Sequence, residues 1–228
     1  MSYNGIMQAS GVCNPGSNPG IPTIISQKYM GQNILLIIFV IIGYLFGSIP
    51  FGYIITKLKS IDITKQGSGN TGATNVSRVL GFKYAVLVGA LDISKAIVPI
   101  YIASRYITNE WQMALVVISP VIGHIFSPWL NFRGGKAVST IFASIIWVIG
   151  WKYALILLLI WVILLRTIKI MSLTNLIIIW FIPLLFWFQN HSFVYLTLGL
   201  IYIPIIYWTH RENIERLKRG TEKKIIKS

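Results

Sequence analysis

The chain has 228 residues, of which 55% are hydrophobic and 11% charged, and its mean hydropathy is +0.69. A soluble domain of this size carries about 25% charged residues, so a soluble globular fold is excluded in favour of a single membrane domain. A formal net charge of +14 would suit a nucleic-acid-binding face on a soluble protein. Here the Lys and Arg residues fall between apolar runs, where membrane topology accounts for them, and no nucleic-acid partner is expected. The single cysteine, Cys13, excludes a disulfide framework and a cysteine metal site.

Residues 1–32 are rich in Gly, Pro, Ser and Asn (GVCNPGSNPGIP) and show no apolar period. Such a segment buries too little surface to offset its ordering entropy, so a disordered tail is expected, with a single membrane-embedded domain over 33–228. It lacks the basic start and apolar core of a signal peptide. A translation start at Met30 is the alternative reading of this segment.

From Asn33 onward, apolar runs alternate with short charged loops. A span needs ~20 apolar residues. Spans are expected at Asn33–Thr56, Phe82–Ile107, Trp111–Leu130, Ala137–Ile149, Trp151–Ile168, Ser172–Gln189 and Ser192–Thr209. The fold class is therefore all-α, a polytopic membrane protein of about seven transmembrane helices, with glycine-rich loops on one side. Ala137–Ile149 is short for a full crossing. Long unbroken runs without two-residue alternation argue against a membrane β-barrel.

The basic residues set the orientation. One side holds Lys57, Lys59, Lys65, Arg78, Lys83, Arg133, Lys136, Arg166, Lys169 and the seven of the tail from Arg211 to Lys227. The other holds only Lys28, Arg105 and Lys152, while Lys95 lies within a span. The C-terminus is expected in the cytoplasm and the N-terminus outside. No internal repeat is evident.

Three cytoplasmic segments combine glycine, hydroxyl, amide and basic residues. In Gly67–Asn75 (GSGNTGATN), three glycines in six positions let backbone N–H groups approach an anion. Ser68, Asn70, Thr71, Thr74 and Asn75 add side-chain partners, and a short helix starting near Thr74 would aim its N-terminus at the same point. Arg78 would supply a bidentate fork for phosphate or carboxylate. The bland alternative is a flexible turn between spans. The second segment, Phe132–Thr140 (FRGGKAVST), fails the nucleotide P-loop pattern because Ala137 follows Lys136 and no glycine precedes at the required spacing. A Gly134–Gly135 turn with two cations remains, either a second anion contact or a pair of topological anchors. The third, Thr209–Gly220 (THRENIERLKRG), reads as an amphipathic helix with Ile214 and Leu217 on one face, or as a polybasic stretch drawn to anionic lipid.

Within the spans, Asp92 and Lys95 stand three apart. Each charge costs about 2.5–3.5 kcal/mol at mid-membrane, so a structural ion pair is expected. His124 is expected to be a hydrogen-bonded interior histidine, since no spacing of His, Asp or Glu suggests a metal site.

Taken together these motifs resemble the bacterial acyl-phosphate:glycerol-3-phosphate acyltransferase (PlsY) family. The resemblance rests on GSIPFGYIITK (Gly47–Lys57), GSGNTGATNVSRVLG (Gly67–Gly81), LDISKA (Leu91–Ala96), GHIFSPWLNFRGGKAVST (Gly123–Thr140) and HRENIERLKRGTE (His210–Glu222), in the family's order and spacing. It implies a seven-helix bacterial plasma-membrane enzyme of phospholipid biosynthesis. The reaction implied is transfer of a fatty acyl group from acyl phosphate to the sn-1 hydroxyl of glycerol 3-phosphate. The products would be lysophosphatidic acid and phosphate, with membrane lipid as the surroundings and no cofactor or metal. Function as a monomer is expected. Carried over by position, the important residues are Ser68, Arg78, Lys136, His210 and Asn213, with Gly67, Gly69, Asn70, Gly72, Thr74, Asn75, Gly134 and Gly135 as substrate-binding loop positions. The sequence departs from the family pattern at Ala96, Ala137 and Thr209, where Gly, Gly and Arg are usual.

An acyl phosphate is already activated, so the protein mainly has to position the hydroxyl and stabilise developing charge. Ser68 is then a hydrogen-bond donor rather than a nucleophile. His210 would orient glycerol 3-phosphate or accept its hydroxyl proton, a task a donor phosphate oxygen can also perform. Two rivals are a His-x4-Asp acyltransferase and an organic-anion transporter. The first lacks its motif, because Trp129, Leu196 and Glu215 stand five residues after His124, His191 and His210. The second draws on Asp92 and Lys95 but lacks inverted repeats.

Overall fold

A computed structural model describes residues 20–225, with side chains from Met30 onward. The described residues form helices and turns with no strand. In chain order the helices are α1 (Gly20–Ser48), α2 (Phe51–Lys57), α3 (Ala73–Leu80), α4 (Phe82–Ala103), α5 (Glu110–Ile125), α6 (Val138–Ile168), α7 (Met171–Ile178), α8 (Ile182–Asn190), α9 (Phe193–Thr209) and α10 (Arg211–Lys218). Helix α1 begins at Gly20 rather than Asn33, so 20–32 are helical where a disordered tail was expected. The rest of that expected tail, 1–19, lies outside the described residues.

Five segments are long and apolar enough to cross a bilayer, and α9 with its continuation α10, bent by 62°, makes a sixth. One of the five, α6, is two rods. Gly150 (φ 80°, ψ 158°) breaks it at the residue that separates the two expected spans 137–149 and 151–168. A straight helix of 31 residues would hold its ends about 46 Å apart. Instead Lys136, just before α6, donates to Asn213 Oδ1. Asn213 donates to Glu222 at 2.6 Å, and Ser172, just after α6, donates to the same carboxylate at 3.0 Å. The chain therefore doubles back at Gly150, and counting both arms gives seven membrane segments. The first arm, Val138–Ile149, covers roughly 18 Å against the ~30 Å of bilayer hydrocarbon.

Other bounds shift modestly. The second expected span ends at Ala103, and the third ends at Ile125 with a separate 3₁₀ turn over Pro128–Leu130. Helices α7 and α8, joined by a 3₁₀ turn over Ile179–Phe181 ahead of Pro183, together form one crossing.

Helices α1 and α5 pack through small residues. A Cβ on Gly47 would lie 2.3 Å from the Pro120 backbone, and one on Gly123 would lie 2.1 Å from the Tyr44 carbonyl. Without a hydrophobic force between helices in lipid, such close approach is what holds them together. The core lies between α5, α6, α8 and α9, where Val116, Val117, Val121, Ile141, Phe186, Leu198 and Tyr202 are buried. The large side chains left exposed on α1 and the second arm of α6 (Ile37, Ile41, Leu155, Leu159 and Ile163 among them) form the lipid-facing surface.

Candidate active site

Asn75 organises the first glycine loop. It sits buried in the first turn of α3, where its Oδ1 accepts from the Ser68 backbone N–H at 2.9 Å. Its amide donates to the carbonyls of Gln66 and Asn70, both at 2.9 Å. The side chain of Asn75 is thus consumed by the loop, although the residue was expected among the ligand contacts. Gly67 (φ +64°) is required beside it, since a Cβ there would lie 2.1 Å from Asn75 Oδ1. Asn70 Oδ1 accepts from Gly72 N–H at 2.8 Å and closes the turn into α3. Helix α3 begins at Ala73, one residue before the expected start, with Gly72 as N-cap. The start of α3 (Ala73 and Thr74), Ser68 and the exposed Arg78 line the same cavity.

The second segment is built differently from expectation. Gly134 N–H donates to Ile125 O at 2.8 Å and Gly135 N–H to His124 O at 2.9 Å. These N–H groups are spent on the end of α5 and present nothing to an anion. The glycines are there for close approach, since a Cβ on Gly134 would lie 1.9 Å from His124 O. The turn serves to deliver Lys136. Ala137, where the family pattern has glycine, adopts a left-handed conformation (φ 62°, ψ 12°) with its methyl buried in the core.

The tail supplies the third wall. His210 follows α9, buried, with its Nδ1 2.9 Å from Ile206 O. A carbonyl only accepts, so the proton is on Nδ1 and Nε2 carries a lone pair. Burial, together with the Lys136 charge, lowers His210 to about 4. Helix α10 turns Asn213 towards Lys136 while Ile214 and Leu217 pack on the core, and Gly220 (φ +69°) ends the turn that follows. Beyond it, Glu222 gathers Asn213, Ser172 and Arg216, the last at 2.7 Å, and Ile225 N–H donates to Lys169 O at 2.9 Å. Burial alone would raise Glu222, but the hydrogen bonds from Arg216, Asn213 and Ser172 outweigh it and hold it below the usual glutamate value. Burial, reinforced by the charge of Arg216, lowers Lys136 to about 8.

These pieces line one cavity of about 700 Å³. Ser68, Asn70, Gly72, Thr74, Asn75, Arg78, Lys136, His210 and Asn213 all contribute to it, while Gly69, Gly134 and Gly135 do not. Gly67 lines a small polar recess of about 100 Å³ that shares Ser68, Arg78 and Glu222 and adds Arg216 and Lys223. At its other end the cavity is apolar, walled by Phe142, Ile145, Leu157, Trp161, Ile178 and Ile182. Asp92, which also lines the cavity, pairs with Lys95 at 2.7 Å. Lys95 also reaches Ile49 O at 2.6 Å and His124 Nδ1 at 3.0 Å, so this cluster ties α4 and α5 to the break between α1 and α2. Among the described residues no group of three or more His, Cys, Asp or Glu side chains could hold a metal ion.

The glycerol-3-phosphate acyltransferase family model matches residues 37–220. The chain belongs to the glycerol-3-phosphate acyltransferase family. A Prochlorococcus marinus (strain NATL1A) glycerol-3-phosphate acyltransferase is 40% identical over 203 residues, 85% of this chain and 98% of that one. The Carboxydothermus hydrogenoformans enzyme is 36% identical over 192 residues, covering 84% and 97%. Among solved structures, PlsY (YgiH), an integral membrane glycerol 3-phosphate acyltransferase, superposes with TM-score 0.77 in its glycerol 3-phosphate form. It is 34% identical, and the match covers 83% of this chain and 94% of that one. Its lysophosphatidic acid form gives 0.76. As a member of this family the chain is an integral membrane acyltransferase of phospholipid synthesis.

Sequence reasoning did not single out Glu222, Ser172, Trp161, Asn175 or Arg166 as residues of this cavity. The available signal was polarity within apolar segments, as at Ser172 and Asn175, which demands a partner. Glu222 stands only two residues past Gly220, but nothing in its spacing brings it to Lys136.

Proposed function

We propose that the chain transfers a fatty acyl group from acyl phosphate to the sn-1 hydroxyl of glycerol 3-phosphate, giving lysophosphatidic acid and inorganic phosphate. The carrying observation is a single cavity with a cationic, N–H-rich head and an apolar arm. Both substrates bear a phosphate, and one bears a long chain. The α3 N-terminus, Ser68 and Arg78 hold one phosphate, and Lys136 with the tail holds the other. The chain lies in the arm between α6, α7 and α8.

His210 Nε2 accepts the hydrogen bond of the attacking hydroxyl and aims it. The hydroxyl oxygen bonds to the acyl carbon, the bond from that carbon to the phosphate oxygen breaks, and phosphate departs with the electron pair. The proton passes to a phosphate oxygen. That oxygen is the better base, because the second ionisation of a phosphate group lies at about 6, whereas burial lowers His210 to about 4. Lys136 and Arg78 stabilise the charge that develops on the phosphate.

The enzyme acts as a monomer in the bacterial plasma membrane, with residues 33–228 as the catalytic unit, its C-terminus cytoplasmic and its N-terminus outside. The purified protein in detergent, given labelled glycerol 3-phosphate with palmitoyl phosphate or palmitoyl-CoA, should yield labelled lysophosphatidic acid from the phosphate donor only. Product from the CoA donor would overturn the donor assignment. Product from neither, by folded protein, would overturn the reaction.

A further inference from the structure

We infer that Asn175 is a further catalytic residue, whose side-chain amide donates a hydrogen bond to the carbonyl oxygen of the acyl donor. The inference rests on the acyl-transfer reading above. Asn175 lies on α7, is only 6% exposed, and lines the cavity. Its Oδ1 accepts from Trp161 Nε1 at 2.8 Å. An indole N–H only donates, so the oxygen of the amide faces Trp161 and the NH₂ is turned away from it.

Among the described residues that NH₂ has no hydrogen-bond partner, and it is not sealed inside protein, so it is open to the cavity. A donor in largely apolar surroundings is costly to leave unpaired, which points to a ligand acceptor.

Its position names the acceptor. One turn earlier on the same helix, Ser172 bonds to Glu222 in the polar head. One turn later and beyond, Ile178, Ile179 and Ile182 line the apolar arm. Asn175 therefore stands at the junction of the two. With phosphate in the head and the chain in the arm, the acyl carbonyl must lie at that junction. In the transfer step the hydroxyl oxygen bonds to this carbonyl carbon and negative charge builds on its oxygen. The charge is relieved when the bond to phosphate breaks, phosphate takes the electron pair, and the hydroxyl proton ends on a phosphate oxygen. The Asn175 N–H stabilises the charged stage. Trp161 holds the amide in one orientation, so little reorganisation is needed as charge appears.

The test is steady-state kinetics in detergent with glycerol 3-phosphate and palmitoyl phosphate, on wild type, Asn175→Ala, Asn175→Asp, Trp161→Phe and the Asn175→Ala/Trp161→Phe pair. Asn175→Ala should lower kcat roughly 100-fold, as loss of a carbonyl-charge donor does elsewhere, with KM for glycerol 3-phosphate within about twofold of wild type. Trp161→Phe should fall between, and the pair should be no slower than Asn175→Ala, because the indole acts through the amide.

Asn175→Asp keeps the shape and the acceptor for Trp161 but lacks the donor. Its kcat should be low at neutral pH and recover relative to wild type as the pH falls and the carboxyl gains a proton. That pH signature would not arise from a packing role, and it decides the matter if Asn175→Ala fails to fold. A wild-type kcat in either Asn175 variant, from active wild-type enzyme, overturns this inference and leaves the acyltransferase reading standing. Wild type that makes no lysophosphatidic acid overturns both.

Discussion

At the level of single side chains, Lys136 and His210 are adjusted by the same burial to opposite ends of usefulness. Lys136, lowered to about 8, is charged at neutral pH but loses its proton on mild alkalinisation. KM for whichever substrate's phosphate Lys136 holds should therefore rise as pH passes about 8, and Lys136→Arg should flatten that rise. Unfolding would not explain such a change. Between about 8 and the ordinary 10.5 the unfolded chain binds the proton more tightly than the folded one, so this group makes the protein more stable as pH rises through that window. His210, at about 4, is neutral throughout the working range, and its contribution to stability falls as pH drops from the ordinary 6.5 towards 4. The wild-type profile of kcat should thus show no limb that belongs to His210, and any limb at about 6, where the phosphate titrates, should persist in His210→Ala. His210→Ala should raise KM for glycerol 3-phosphate about tenfold, the cost of one lost hydrogen bond at roughly 1.4 kcal/mol. A limb at 6.5 that vanishes in the variant would make His210 the base instead.

At the level of elements, two devices place these groups. The loop before α3 is held by one buried amide. Asn75→Ala removes its bonds to Ser68, Gln66 and Asn70 and leaves their backbone groups unpaired, which should cost about 2–4 kcal/mol and lower the melting temperature in detergent. The second device is the corner at Gly150. Its dihedrals belong to a region open essentially to glycine alone, yet a Cβ there would meet nothing within 4 Å. Gly150→Ala should therefore cost about 1–3 kcal/mol through backbone strain only, measurable as a lower melting temperature with KM little changed. An unchanged melting temperature would argue against the corner. Ala137 shows that a left-handed position can carry a methyl when the side chain gains burial, here at 0% exposure within the core.

For the molecule as a whole, function depends on folding both ends of α6 and the tail to one side of the membrane. Lys136 in the loop before α6, Ser172 at the start of α7 and Glu222 in the tail meet, through Asn213, in one hydrogen-bonded chain. The proposed orientation puts that side in the cytoplasm. With Cys13 replaced by Ser, a cysteine at exposed Arg133 should react with a membrane-impermeant maleimide in inverted vesicles and not in intact cells, and one at exposed Lys152 should do the reverse. Labelling of the pair in the opposite sense would reverse the topology.

Much of this was legible in the chain itself. Apolar run length and the placing of Lys and Arg determine an all-helical membrane protein, because in lipid every backbone group must be satisfied within its own segment. The motifs around Ser68, Arg78, Lys136, His210 and Asn213 pointed to the residues that the cavity gathers. Even the corner at Gly150 coincided with the gap between two expected spans. The division of labour among the polar residues was not legible. That Asn75 serves its own loop, that Gly134 and Gly135 spend their N–H groups on α5, and that Glu222 reaches Lys136 through Asn213 are matters of which donor meets which acceptor once the chain is packed. Residue type and spacing state what a group can bond to, and only the packed helices decide which partner is within reach.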